Sequence, residues 1–211
     1  MATAMGLRER KAARTREEIS RVAIGLFCAR GFDSVTMTEI AEAAEVGRAT
    51  LFAYFPSKEA LVLDRVQDDD PCRVFSGRGP GVSLAGALRA HYRELAAQFG
   101  PREAEGTKRI MELILSTPAL TAGLHRMFDR QRDELAALLA AEDTTDTSGF
   151  TAQVVAAQTI GVVLAVKSRI YERLVAGELA GAAPACLAEE VDMAFGLLET
   201  GIGSSHRKEA T

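Results

Sequence analysis

The sequence predicts an all-α protein. Three observations carry that expectation. Apolar residues recur at helical spacing in almost every long segment, and no stretch of strict alternation is long enough for a strand. In addition, Thr-x-x-Glu pairs and Gly or Pro stops punctuate the chain at intervals suited to helices.

Taken in order, the elements number about nine helices. Thr15 and Glu18 read as a capping box, after which Ile19, Val22, Ala23, Leu26 and Phe27 line one face until Gly31 offers a left-handed stop. Thr36 and Glu39 open a second, short helix with Ile40, Ala41 and Ala44 facing inward. Gly47 is expected to make a sharp turn into a third, in which Leu51, Tyr54 and Phe55 pack against the first two. Pro56 stops it and Ser57 caps a fourth.

The segment from Asp68 to Val82, DDDPCRVFSGRGPGV, interrupts the pattern and reads as a loop between two domains. Its glycines follow no strand, so it does not read as a phosphate-cradling loop. The fifth helix carries Leu84, Ala87, Leu88, His91, Leu95 and Phe99, with Gly100-Pro101 as its end. Ile110, Met111, Leu113, Ile114 and Leu115 mark the sixth. Thr117 and Pro118 suit the cap and first position of the seventh, which runs through Leu120, Leu124, Met127, Phe128, Leu135 and Leu138.

After a polar loop from Glu142 to Gly149, Phe150 to Val175 forms the eighth. It is apolar over more than one face, so a single neighbouring layer cannot cover it and a second partner is implied. The ninth, from Pro184, repeats Leu187, Val191, Ala194, Phe195 and Leu198, and residues 205–211 read as a tail.

With 211 residues and 47% hydrophobic content, the chain can bury a small head domain and a larger body. A formal charge of −4 excludes coating of nucleic acid through net charge alone. The positive charge is concentrated at one end, where Arg8, Arg10, Lys11, Arg14 and Arg16 stand against a single acid, Glu9. Cys28, Cys72 and Cys186 have no Cys-x-x-Cys spacing, which fits reduced thiols in a cytoplasmic protein and suggests no metal site. No cofactor motif is present. Gly81-Val-Ser83-Leu-Ala85 lacks the second glycine of a nucleophile elbow, which argues against a hydrolase. The most apolar run, Thr151 to Val166, contains Gln153 and Gln158 and is expected to be too short to span a bilayer, so the chain reads as soluble with no membrane partner.

Two short helices joined by a tight turn form a helix-turn-helix, whose second helix fits a DNA major groove. Arg48 can present parallel donors to a guanine edge, and Ala49 beside it can meet a thymine methyl. Thr38 points toward the same duplex. Thr36, Thr50 and Tyr54 offer hydroxyls to phosphate oxygens, and Phe52 can pack along a sugar. Lys58 is a cation in the first turn of a helix, against the macrodipole, and a DNA phosphate would compensate it.

Through AIGLFCARGFDSVTMTEIAEAAEVGRATLFAYFPSKEALV, residues 15–63 resemble the DNA-binding domain of the tetracycline-repressor (TetR) family. The resemblance implies base-reading positions at Thr38, Arg48 and Ala49. It implies backbone-gripping positions at Thr50, Phe52, Tyr54 and Lys58, and an arm (1–14) whose Arg8, Arg10, Lys11 and Arg14 reach the minor groove. It further implies a ligand-binding and dimerisation domain over 64–204, and a homodimer joined through the eighth and ninth predicted helices on a palindromic operator. The expected function is a transcriptional regulator, a repressor released by a small hydrophobic or amphipathic effector, and not an enzyme. RIMELILSTPAL is similar to a subset of regulators that recognise acyl-CoA or fatty-acyl compounds. His91, Met111, Leu115, Met127 and Phe128 are the candidate effector contacts; each also suits a core position. A carrier for a lipid-like molecule is the rival reading.

Overall fold

The structure, a computed structural model, describes residues 6–67, 69–98, 101–142, 148–178 and 184–200. Among them are ten α-helices, one 3-10 turn and no strand, as the periodicity predicts. They are α1 (Leu7–Arg30), α2 (Met37–Ala43), α3 (Arg48–Tyr54), α4 (Lys58–Leu63), α5 (Pro71–Gly77), α6 (Leu84–Gln98), α7 (Pro101–Ser116), α8 (Pro118–Glu142), α9 (Phe150–Val175) and α10 (Pro184–Thr200), with the 3-10 turn at Asp64–Val66. The chain divides into two compact units.

The first unit comprises residues 1–68 and 109–125. Its core is built from Ile19, Ala23 and Phe27 of α1, Ile40 and Ala41 of α2, Leu51 of α3, Phe55, and Leu61 and Val62 of α4. Leu113, Ile114 and Leu120 join the same cluster from α7 and α8. Each fully buried Leu, Ile or Phe contributes about 1.5–3 kcal/mol relative to an exposed one, so this cluster is the main source of the unit's stability. Two side-chain contacts fix the register of α1: the buried Ser20 hydroxyl donates to Leu61 O (2.8 Å), and the partly exposed Arg16 guanidinium pairs with Asp64 while lying over the Phe55 ring.

Helix α1 starts earlier than expected. Thr15 is no cap: its hydroxyl donates to Lys11 O one turn back (3.0 Å), and residues 7–14, expected as an arm, are helical. Arg, Lys and Ala are strong helix formers, so nothing in this stretch opposes extension of the helix. Thr36 does form the expected capping box with Glu39.

The tight turn between α2 and α3 departs from expectation in its pivot. Gly47 is extended, at φ −65° and ψ 146°, and serves as the cap of α3. The left-handed residue is Glu45, at φ 54°. The Glu45 N–H bonds Glu42 O and the Val46 N–H bonds Ala41 O, the pair of bonds that closes a helix in a Schellman motif. That position usually holds glycine, because a Cβ there costs about 1–2 kcal/mol. Glu45→Gly is therefore expected to stabilise the first unit by roughly 0.5–1 kcal/mol after the entropy of the unfolded glycine is subtracted, read as a raised melting temperature.

The second unit comprises residues 69–108 and 126–211. Leu88 and Tyr92 of α6, Val163, Val166 and Ile170 of α9, and Leu187, Val191 and Phe195 of α10 form its main cluster. Cys72 and Phe75 of α5, Leu135 of α8 and Ala156 of α9 form a second. Helix α5 lies within the segment expected to be a loop. Asp70 caps it by accepting from Cys72 N–H, and Pro71 occupies its first turn, so the proline taken as a breaker is a helix start. Pro101 likewise opens α7, whose start lies well ahead of the apolar cluster at Ile110. Phe99, Gly100, residues 143–147 of the expected polar loop and the tail at 205–211 lie outside the described residues.

At 26 residues, α9 is long and apolar enough to cross a membrane by length and composition, which corrects the expectation that its apolar run is too short. One stripe, Ile160, Val163, Val166, Ile170 and Leu174, is buried within this unit, while Val154 and Leu164 are exposed. On its polar edge Arg169 and Arg173 both pair with Glu190 of α10. The three cysteines are unpaired thiols, as expected. Burial, with Asp70 and Glu134 nearby, pushes the Cys72 thiol up to about 12, so it is held protonated and inert.

Candidate nucleic-acid interface

Leu51 and Phe55, one turn apart, are both fully buried, and this anchors one side of α3 in the core. The opposite side is consequently presented to solvent. It carries Arg48, Ala49, Phe52 and Ala53, all exposed, with Thr50 exposed beside them. Phe52 is 44% exposed, an unusual position for a large aromatic ring unless a further surface covers it. No acidic residue stands in the first turn of α3 and no side chain caps it, so nothing there repels an approaching phosphate. Thr38 and Tyr54 are half-buried, and Tyr54 packs against the core. Its carbonyl accepts from Arg16 (3.3 Å), which ties the end of α3 to α1.

The arm residues occupy a helical surface. Arg8, Arg10, Lys11 and Arg14 are all exposed on the first turns of α1, and at 100° per residue Arg10, Lys11 and Arg14 share one side of it. A helix presents these charges as a stripe where an extended arm would thread a groove.

Two expected backbone contacts have other duties. The Thr36 hydroxyl donates to Glu39 Oε2 (2.8 Å) and accepts from Glu39 N–H (3.2 Å), so it holds the start of α2. Lys58 is turned inward. Its ammonium donates to Phe32 O (2.7 Å) and Val35 O (2.9 Å) and lies 4.5 Å from the Phe32 ring centroid. The compensation that a first-turn cation needs is thus supplied here by two carbonyls of the α1–α2 turn.

Glu39 also accepts from Arg30 (2.6 Å), joining α2 to the end of α1. The Thr36 backbone N–H first, then Arg30 and the Thr36 hydroxyl, lower its carboxyl from 4.5 to about 2. A carboxylate lowered in the folded state contributes stability above its unfolded value and loses it as pH falls through the folded one. Between pH 4.5 and about 2 this contribution should vanish. In a pH series of melting curves, wild type should exceed Glu39→Gln above pH 5, and the two should converge toward pH 2 (the interval around about two to five in which this group titrates).

The candidate effector contacts do not form one set. Met111 packs against the core of the first unit and Leu115 is 51% exposed, whereas Met127 and Phe128 are buried in the second unit. His91, half-buried, faces Asp69. Sequence reading missed the partners that surround it: Asp69 sits in an acidic run that suggests only a solvated loop, and Lys167 is the first charged residue after the long apolar run of α9, which is the one signal that could have found it.

Comparison with known proteins bears on both units. Residues 19–64 match the model of the bacterial regulatory proteins of the tetR family, and residues 82–202 match the MftR C-terminal domain. The chain is 33% identical over 152 residues to the HTH-type transcriptional regulator TcmR of Streptomyces glaucescens, covering 67% of this chain and 66% of TcmR. It therefore spans just under two thirds of that relative's length. A protein of Mycobacterium tuberculosis named for the regulation of mycofactocin biosynthesis, MftR, is 33% identical over 162 residues, covering 74% of this chain and 79% of that protein. Among solved structures, NalD of Pseudomonas aeruginosa, the secondary repressor of the MexAB-OprM multidrug efflux pump, superposes with a TM-score of 0.55 at 18% identity, over 88% of this chain and 96% of NalD. That last likeness concerns the fold alone.

Proposed function

The chain belongs to the TetR family of bacterial regulatory proteins, and from that premise we propose that it is a cytoplasmic repressor that binds a palindromic operator as a homodimer and leaves it when a small hydrophobic or amphipathic effector occupies the second unit. The observation that carries this reading is the face of α3, where Arg48, Ala49, Thr50 and Phe52 are exposed together while Leu51 and Phe55 hold the helix rigidly beneath them. Arg48 and Ala49 would read base edges. Thr38 would read a base edge from α2, Thr50, Phe52 and Tyr54 would grip the backbone, and the basic stripe on α1 would add sequence-independent attraction.

The exposed apolar surface of α9 and α10 supports self-association. Val154 and Leu164 on α9 are exposed, and Met193 on α10, 62% exposed, lines a groove with Ala165, Leu187, Val191 and Ala194, edged by Arg169 and Glu190. A second copy would supply the covering layer that α9 requires and place two recognition helices on successive turns of a duplex. The effector would act by binding one arrangement of the dimer better than the other.

Fluorescence anisotropy with a labelled duplex across a salt series tests the DNA-binding core of this reading. Affinity should fall steeply and linearly in log salt, with a slope of about −0.9 per phosphate neutralised, and footprinting of genomic fragments should return two related half-sites about one helical turn apart. A salt-independent or undetectable interaction would leave the carrier reading in its place.

A further inference from the structure

Asp69 of the second unit accepts from both sides. His91 Nε2 of α6 lies 3.3 Å from one carboxylate oxygen, and Lys167 Nζ of α9 donates to the other at 3.3 Å. The Tyr92 hydroxyl reaches the Asp69 backbone carbonyl at 3.5 Å, and the Lys167 ammonium stands 5.9 Å from the centroid of the buried Phe128 ring. Burial alone would raise the Asp69 carboxyl, but His91 and Lys167 together outweigh it and hold it below its ordinary value. The group is therefore ionised, and its two contacts are longer than the roughly 2.7–2.9 Å of an optimal charge-assisted bond.

The two donors and the acceptor differ in where the chain places them. His91 and Lys167 project from long helices whose neighbours Tyr92, Val166 and Ile170 are core residues. Asp69 belongs to no helix; it precedes the cap of α5 and is the first residue of its unit in the chain. An incoming anion would compete with Asp69, the member outside any helix, for the two helix-borne donors. A second observation also points to a ligand. Gln131, three residues beyond Phe128 on α8, is 7% exposed, and its buried Oε1 has no hydrogen-bond partner among the described residues.

We propose that Asp69 is an internal stand-in for the effector's acidic group: the effector is an amphipathic acid, a carboxylate or phenolate on an apolar body, that takes Lys167 and His91 from Asp69 and lies against Phe128. Gln131 accepts a donor on the same molecule. Freed from its partners, Asp69 no longer fixes the start of the second unit, which is where the chain leaves the DNA-binding unit. This inference rests on the regulator reading above for its consequence at DNA, but not for the binding itself.

The test uses the full-length protein and two matched probe pairs, dodecanoate with dodecanamide and 1-naphthoate with 1-naphthamide, titrated by calorimetry. At least one acid should bind with a preference of about tenfold or more over its amide, and Lys167→Met should remove that preference. Asp69→Asn should tighten binding of the acid by up to about fivefold, the scale of a weak, long ion pair. A gain in affinity cannot arise from a damaged fold, and Asp133→Asn, an exposed carboxylate elsewhere on α8, should leave it unchanged. Equal binding or no binding of acid and amide in both pairs, or an Asp69→Asn protein that binds the acid no tighter, overturns the proposal. Operator occupancy, followed in parallel, separates the two readings. Acid preference without release from DNA would leave this site standing and sink ligand-driven release, whereas release by amide and acid alike would do the reverse.

Discussion

Replacing Arg48 with alanine is expected to abolish discrimination at one base pair of each half-site while leaving the protein folded. Arg48 is the first residue of α3 and exposed, and among the described residues no hydrogen bond of its guanidinium holds up the first unit. The core contacts of the helix are made by Leu51 and Phe55, so truncation at Arg48 removes reach without removing anchorage. A bidentate arginine–guanine pair is worth about 1–3 kcal/mol against the wrong base, or roughly a five- to hundredfold change in preference at that position. Selection from a randomised half-site library, compared with wild type, measures it. The melting temperature should be unchanged, and affinity for unrelated duplexes should fall by less than affinity for the operator. Unaltered preference at every position would remove Arg48 from the base-reading set and shift that role to Thr38 or Ala49.

Much of the fold was legible from periodicity, and one of the two expected N-terminal capping boxes held. The stripe of α1, the Thr36–Glu39 capping box and the long apolar α9 were all read from spacing, because each depends on local rules that act within a few residues. Misreadings occurred where a residue type admits two structural uses. Pro71 and Pro101 open helices although a proline also ends them, and the choice depends on which flanking groups cap the end, as Asp70 does for α5. Glu45 holds the left-handed turn although Gly47 lies two residues on, because the Schellman bonds to Ala41 and Glu42 select the position by its distance from the helix end.

The candidate site was legible to the same extent. The exposure of Arg48, Ala49 and Phe52 follows from the four-residue spacing of Leu51 and Phe55. Partners distant in the chain did not follow from spacing. The pairing of Asp69 with His91, 22 residues on, and with Lys167, 98 residues on, is created only by the tertiary packing of α6 and α9. Sequence reasoning could supply a lysine closing the long apolar run of α9 but not the carboxylate that satisfies it.

Lys58 gives the other large effect, and its cause separates two roles that sequence alone cannot. The ammonium is held by Phe32 O and Val35 O and covers the Phe32 ring, with the Phe27 ring 6.0 Å away. Those carbonyls belong to the turn that aims α2 at α3, so Lys58→Ala unpairs two acceptors at the point where the first unit sets its geometry. Charge-assisted bonds of this kind contribute about 1.5–3 kcal/mol, and the expected loss of stability is about 2 kcal/mol. DNA affinity should fall for every sequence alike, because α3 is less well held. The slope of log affinity against log salt should stay the same, since no phosphate contact has been deleted. If Lys58 gripped a phosphate instead, the slope would diminish by about one unit with the melting temperature unchanged. Lys58→Met sharpens the comparison: it keeps the apolar stem and deletes only the ammonium, so any stability it loses belongs to the bonds to the two carbonyls and the contact with the Phe32 ring. An unchanged melting temperature in both variants would return Lys58 to the DNA surface.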